Sequence, residues 1–311
     1  MRGVLRRLVA GELTEDEALA EIRRVQLEEL GGRARLDLGR YLRRGIPEVV
    51  LAAGKSPDDA ARLVVTLAEQ HGQGLISRMS DAHSAALERS AAGKRVIEYH
   101  AAARVVRDGF APEKLDGKVG ILTAGTSDVP VADEARMVVE ACGLEARLEA
   151  DLGVAGLHRF VGPLSAMLDW GADVLIVAAG MDGVLPGLVA GLVDVPVIGL
   201  PVSTGYGRGG AGEAALSTML QSCSTGLTVV NIDNGVGAGT AAVLVAQRRM
   251  RGSRNARNAN TNAPAINEPK TMTNIDREMS APPGIENRPP RIKSTVKTPA
   301  SSQGNPRRRR P

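Results

Sequence analysis

The sequence predicts an α/β protein: a five-stranded, doubly wound parallel sheet, preceded by a smaller helical and mixed region. Three observations predict it. From Lys118 to about Arg249, short apolar runs alternate with helical segments, a rhythm that builds a parallel sheet covered on both faces. Glycine-rich loops recur where these runs end, at the carboxyl ends of the strands, where open α/β sheets bind ligands. Apolar residues make up 43% of the 311-residue chain but aromatics only 2%, so the core must be built from Ala, Val, Leu and Ile.

Each element has its own signal. Residues 1–30 read as helical: Thr14 and Glu17 form a capping box, followed by Leu19, Ile22, Leu27 and Leu30 at roughly helical spacing. Residues 33–110 read as mixed helix and loop, with a strand over Ile46–Ala52. A helix opens at Ser56-Pro57-Asp58-Asp59, with proline at its first position and acids in its first turn. Glu113–Gly117 reads as a linker. Then come strand Val119–Thr123, helix Val131–Cys142, strand Leu144–Ala150 and helix Leu157–Trp170. Strand Asp173–Ala179, helix Leu185–Leu192, strand Val195–Leu200, helix Glu213–Ser222 and strand Leu227–Ile232 follow, with a last helix to about Arg249. The implied domains are 1–112, 113–250 and a basic, Asn/Pro/Arg-rich tail, 251–311.

The formal net charge of +4 hides two opposite halves. Residues 247–311 hold 15 Lys+Arg against 4 Asp+Glu, whereas residues 1–246 hold 24 against 31. The body is acidic, so nucleic-acid binding would concern only the tail, whose composition is that of a solvated extension. Six aromatics (Tyr41, Tyr99, Phe110, Phe160, Trp170, Tyr206) argue against a base-stacking module. Two cysteines exclude a disulfide scaffold and a CxxC zinc framework, and the four histidines show no ligand spacing. No segment reads as a signal or a membrane span, since Val184–Val202 is broken by Asp194 and three prolines, and the expected setting is the cytoplasm.

Four carboxyl-end loops carry polar residues: Ser127/Asp128, Asp182, Ser203/Thr204/Tyr206 and Asp233/Asn234. Ala124-Gly125-Thr126-Ser127-Asp128 suits a phosphate at a helix N-terminus, though Ser127 or Asp128 would equally serve as a helix cap. Gly180-Met181-Asp182-Gly183 permits close backbone approach to a ligand, or is an ordinary turn. Ser203–Gly210 reads as a lid with Tyr206 offering a face to a flat ring, or as a mobile loop. By themselves Cys142 and Cys223 read as buried structural cysteines.

The segment from about Lys118 to Val245 resembles the phosphoribosylaminoimidazole carboxylase (PurE-like) family, through AGTSDVPVADEA and LPGLVAGLVDVPVIGLPV. It is more similar to the LarB family, the pyridinium-3,5-biscarboxylic acid mononucleotide synthases that begin nickel-pincer cofactor assembly for lactate racemase. The closer motifs are GMDGVLPGLVAGL, PVSTGYG, LSTMLQSCSTGLTVVNIDNGVGAG and the N-terminal DLGRYLRRGIPEVVLAAGKS, so that the resemblance covers roughly residues 33–247. The purine enzymes carry a proton-shuttling histidine before Leu-Pro-Gly; here Val184 precedes Leu185-Pro186-Gly187, and valine transfers no proton.

The resemblance implies a flavodoxin-like strand order, a homo-octamer, the substrate nicotinic acid adenine dinucleotide and the co-substrate carbon dioxide or bicarbonate. It implies carboxylation of the pyridinium ring at C5 and cleavage of the phosphoanhydride to release AMP. Cys223 matches the family's proposed nucleophile, which leaves Cys142 structural. Asp128 and Asp182 are then the candidate proton acceptors. Gly125, Thr126, Ser127, Gly180, Met181, Gly183, Ser203, Tyr206, Asp233 and Asn234 are the expected substrate-binding residues, with the ribose phosphate of the nicotinate half at Ser127. Acidic loop residues could hold a Mg²⁺ ion, though no metal motif is present. Two alternatives compete: an aminoimidazole ribonucleotide carboxylase or mutase, and a nucleotide-binding module without turnover.

Overall fold

The computed structural model describes residues 2–24, 27–30, 34–37 and 45–261. The chain opens with helices α1 (Arg2–Val9) and α2 (Glu15–Arg24). The Thr14–Glu17 capping box forms as expected: the Thr14 amide donates to Glu17 Oε2 at 2.8 Å, and the Glu17 amide to Thr14 Oγ1 at 3.3 Å. The helix does not reach Leu30. Strands β1 (Leu27–Leu30) and β2 (Ala34–Asp37) pair antiparallel, with Leu27 opposite Asp37. The five-residue step from Ile22 to Leu27 departs from the i, i+3 and i+4 spacing of a helix. Most of the DLGRYLRR stretch lies outside the described residues.

Residues 49–107 form more sheet than expected. Strands β3 (Val49–Leu51), β4 (Gln73–Ser77), β5 (Lys94–Tyr99) and β6 (Ala102–Arg107) make a mixed sheet in the order β3-β4-β6-β5. Helix α3 (Pro57–His71) crosses over between parallel β3 and β4, capped by Ser56 as predicted, and α4 (Asp81–Ser90) packs beside it. Where the sequence predicts helix and loop, the hairpin β5–β6 forms; its β-branched Val96, Ile97, Val105 and Val106 favour the extended backbone of a packed sheet instead.

Residues 118–229 follow the predicted rhythm. Strands β7 (Lys118–Thr123), β8 (Glu145–Glu149), β9 (Val174–Ala179), β10 (Val197–Pro201) and β11 (Leu227–Val229) form an all-parallel sheet in the order β8-β7-β9-β10-β11. This is the flavodoxin-like order, with its switch point between β7 and β9. The intervening helices are α5 (Val129–Ala141), α6 (His158–Asp169), α7 (Leu185–Ala190) and α8 (Glu213–Leu220), and α9 (Gly235–Thr261) closes the fold. In β9, Val174, Ile176 and Ala178 face the core shared with α5 and α9, while Leu175, Val177 and Ala179 face α6, α7 and α8. A strand buried on both faces needs apolar residues at every position, which is why this one reads as a continuous apolar run. Edge strand β8 departs from that: Glu145, Arg147 and Glu149 alternate outward to solvent.

Helix α9 runs twelve residues past Arg249, into the first part of the predicted tail. Extending an established helix is cheap, and Arg and Ala in this stretch favour it. Its glycine-rich start is helical packing rather than loop. A Cβ on Gly235 would stand 2.2 Å from the Val131 carbonyl oxygen, and one on Gly239 would stand 2.6 Å from that of Ala135, so only glycine lets α9 lie this close to α5.

Helix α5 is sandwiched between the two sheets, whose residues share one apolar core that includes Leu75, Tyr99 and Ala102 from the N-terminal sheet. Its acids meet polar residues of that sheet. Tyr99 Oη donates to Glu140 Oε2 at 2.6 Å, His100 pairs with Asp133, and the amide of Gln73 donates to the Ala141 carbonyl at 2.8 Å. Asp133 is buried against His100, and Glu134, whose carboxylate accepts the Arg78 backbone N–H, is buried as well, though mid-helix charges normally face solvent. Among the described residues no helix is long and apolar enough to cross a membrane.

Candidate active site

A cleft of about 410 Å³ opens at the carboxyl ends of the parallel strands, around the switch point. Its size and place are those of a small-molecule site in an open α/β sheet. Its walls come from the loops after β7, β8, β9 and β10, which bring Ser127, Asp128, Arg159, Asp182, Thr204 and Tyr206 together from four stretches of sequence.

Asp128 is the buried polar centre of the cleft, 3% exposed. It does not cap α5. Its Oδ2 accepts the Gly125 amide at 2.8 Å, closing a 3-10 turn over Thr126–Asp128, and its Oδ1 accepts the Thr204 hydroxyl at 2.9 Å. Burial pushes the carboxyl above its ordinary range, while the bonds from Gly125, Thr204 and the Gly180 backbone pull it partly back. A carboxylate held in place and made more basic than usual suits proton acceptance.

Gly180 closes the floor beside it. A Cβ there would stand 2.6 Å from Thr204 Oγ1 and 3.2 Å from Asp128 Oδ1, so no larger residue fits without moving the loop. Met181 follows in left-handed backbone, φ 44°, and Asp182 lies exposed at the mouth. Tyr206 lines the rim and is 80% exposed, leaving its ring free to meet a ligand.

Arg159 lies outside the residues to which the sequence points. It brings a guanidinium to the cleft wall, pairing with Asp151 at 2.9 Å and leaving donors for an anion. The loop Asp151–His158 holds the signal that would have found it: two glycines and a following basic residue after a parallel strand, the same position as the other site loops.

Six expected site residues do not line the cleft. Thr126 is exposed within the 3-10 turn. Gly183, at φ 65°, packs against the backbone of Ala215, where a Cβ would stand 2.6 Å away. Ser203 donates its amide to Asp233 Oδ1 at 2.8 Å, and Asn234 Oδ1 accepts the Gly237 amide at 2.9 Å, capping α9. Ser203, Asp233 and Asn234 thus serve the frame behind the cleft, because the glycines that suggested a ligand loop belong to helix packing. Cys223, the sixth, is exposed and free. It stands between Ser222 and Ser224, which pack on Gly187 of α7 and on Gly191 just after it, three residues before Gly226, whose carbonyl accepts the amide of the first residue of β10. The Ser224 hydroxyl donates to the Gly187 carbonyl at 2.7 Å, so this segment leans on the first turn of α7, and Cys223 itself does not line the cleft. Cys142 is buried and its thiol is pushed up to about 12 by burial, as fits a core residue.

Among the described residues no group of three or more His, Cys, Asp or Glu gathers, and both oxygens of Asp128 already hold protein donors.

The AIR carboxylase family model matches residues 118–274, and that of the LarB/PurE-like N-terminal domain matches residues 27–108. An uncharacterized protein of Methanocaldococcus jannaschii is 40% identical over 79% of this chain and 97% of its own. N5-carboxyaminoimidazole ribonucleotide mutases of Thermotoga maritima and Pyrococcus abyssi are 32% and 34% identical over 28% of this chain, a stretch that spans about half of each mutase.

Proposed function

The chain belongs to the AIR carboxylase family and carries the LarB/PurE-like N-terminal domain, and on that premise we propose that it carboxylates the pyridinium ring of nicotinic acid adenine dinucleotide at C5 and hydrolyses its phosphoanhydride. The products are AMP and pyridinium-3,5-biscarboxylic acid mononucleotide, the precursor of a nickel-pincer cofactor. The observation that carries this reading is the union of the two domains in one chain.

The chemistry explains the residues. A pyridinium ring is electron-poor and carbon dioxide is an electrophile, so the two do not combine directly. Addition of the Cys223 thiolate forms a C–S bond and turns the ring into a dihydropyridine with a nucleophilic C5. C5 attacks carbon dioxide, the C5 proton passes to a carboxylate, and the C–S bond breaks to restore aromaticity. No net oxidation or reduction occurs. Asp128, buried and held by Gly125, Thr204 and Gly180, is the better proton acceptor than exposed Asp182. Arg159 and Ser127 receive the phosphate of the nicotinate half, Tyr206 meets a ring, and water attacks the anhydride phosphorus to expel AMP. Cys223 does not line the cleft of its own chain, and the reading takes the thiol from a second copy in a homo-oligomer.

The mutase relatives favour a second reading, carboxyl transfer on aminoimidazole ribonucleotide. Val184, at the position of the purine enzymes' histidine, speaks against it. Incubation with nicotinic acid adenine dinucleotide and bicarbonate, followed by mass spectrometry, decides: AMP plus the dicarboxylated mononucleotide is expected. Turnover of aminoimidazole ribonucleotide instead would establish the second reading, and nucleotide binding without product would leave a binding module.

A further inference from the structure

Arg78 and Asp233 meet across the seam between the two sheets, and both hold left-handed backbone, at φ 55° and 54°. Such conformations persist in non-glycine residues only where the surroundings impose them, and they gather at functional sites. Arg78 follows β4 in the N-terminal sheet. Its guanidinium donates to the Asp233 carbonyl at 2.8 Å, and its backbone N–H donates to the Glu134 carboxylate of α5. Asp233 is held in turn: its amide donates to the Pro201 carbonyl at 2.9 Å, and its Oδ1 accepts the Ser203 amide at 2.8 Å. The next residue, Thr204, donates its hydroxyl to Asp128.

We propose that Arg78 is a positioning residue for the cleft: the N-terminal region fixes the Ser203–Thr204 segment through Asp233, and so aims the Asp128 carboxylate. The inference rests on Asp128 as the proton acceptor of the proposed carboxylation. Arg78 is not needed to hold the two sheets together. They share an apolar core and the Tyr99–Glu140, His100–Asp133 and Gln73–Ala141 contacts. Loss of the guanidinium therefore acts locally, where Glu134 and Asp233 are the acids facing it. The cleft's own charged residues, Arg159 and Asp182, are left in place.

The test compares Arg78→Ala and Arg78→Lys in the full chain. Lysine keeps a cationic donor of similar reach. Amide exchange across residues 202–206 is expected to quicken at least tenfold in Arg78→Ala and to stay near the parent in Arg78→Lys. In the carboxylation assay the acid limb of the pH profile moves to higher pH in Arg78→Ala, because the Thr204 hydroxyl no longer favours the charged form of Asp128, and Arg78→Lys moves it back. Unchanged exchange in Arg78→Ala overturns the proposal. So does lost turnover with an unmoved limb and no rescue by lysine, which would mark a merely structural role. If the parent protein turns over no nicotinic acid adenine dinucleotide, the functional reading fails, and the exchange measurement still decides the role of Arg78.

Discussion

The Thr204 hydroxyl donates a 2.9 Å hydrogen bond to Asp128 Oδ1 across 76 positions of sequence. It ties the loop after β10 to the loop after β7, and it favours the charged form of a carboxyl that burial drives toward neutrality. Thr204→Val removes the donor and keeps the volume. The acid limb of the pH–rate profile is expected to move to higher pH, with kcat/KM near neutrality falling roughly tenfold, the scale of one hydrogen bond to a charged group. An unmoved limb would take Asp128 out of the proton transfer.

Gly180→Ala tests the floor of the cleft. The added methyl would stand 2.6 Å from Thr204 Oγ1, so the loop must shift. A displacement near 1 Å at a reacting group typically costs on the order of 100-fold in rate. The expected outcome is a loss of that order with little change in melting temperature, read by steady-state kinetics beside thermal denaturation.

Arg159→Ala should raise KM about 10- to 100-fold with a smaller effect on kcat, since a charge-assisted bond to phosphate is present in ground and transition states alike. Calorimetric titration with the mononucleotide product checks it. Equal affinity in parent and variant would place the phosphate elsewhere.

Glu134 supplies a pH signature of stability. Burial, the largest influence, lifts its carboxyl to about 7, against a modest opposing pull from Arg78. A carboxyl with a raised folded pKa binds its proton more tightly when folded. Its contribution is therefore full below the unfolded value of 4.5 and is lost as pH rises through about 7. Glu134→Gln should flatten this slope and melt above the parent at pH 8. A parallel pH dependence in both proteins would refute the assignment.

Cys223→Ser should abolish carboxylation while leaving nucleotide binding intact, because the thiol is not part of the cleft of its own chain. Mixing Cys223→Ser with Asp128→Asn subunits after unfolding and refolding should restore part of the activity. No complementation, with both variants assembled, would count against a site shared between copies.

The doubly wound sheet was legible because its signals are local: apolar runs of strand length, punctuated by glycine at their carboxyl ends. The cleft was legible in part for the same reason. Gly125, Ser127, Asp128, Gly180, Met181, Asp182 and Tyr206 all line it. What misled was glycine itself, since the glycines after β11 serve the close approach of α9 to α5 and resemble those of a ligand loop until the neighbouring helix is seen.

By itself the sequence determined the parallel sheet, the end of it at which the cleft opens and most of the residue types gathered there, because strand periodicity and turn chemistry are properties of adjacent residues. Only the tertiary structure decided which loops converge, that Arg159 joins them and that Cys223 does not line the cleft of its own chain. It also decided that Asp133 and Glu134 of α5 are buried, against His100 and Arg78 from the loops of the other sheet, and that half-buried Glu140 meets Tyr99. Burial and charge pairing depend on what lies across the chain, and on an isolated helix Asp133 and Glu134 are indistinguishable from residues that face water.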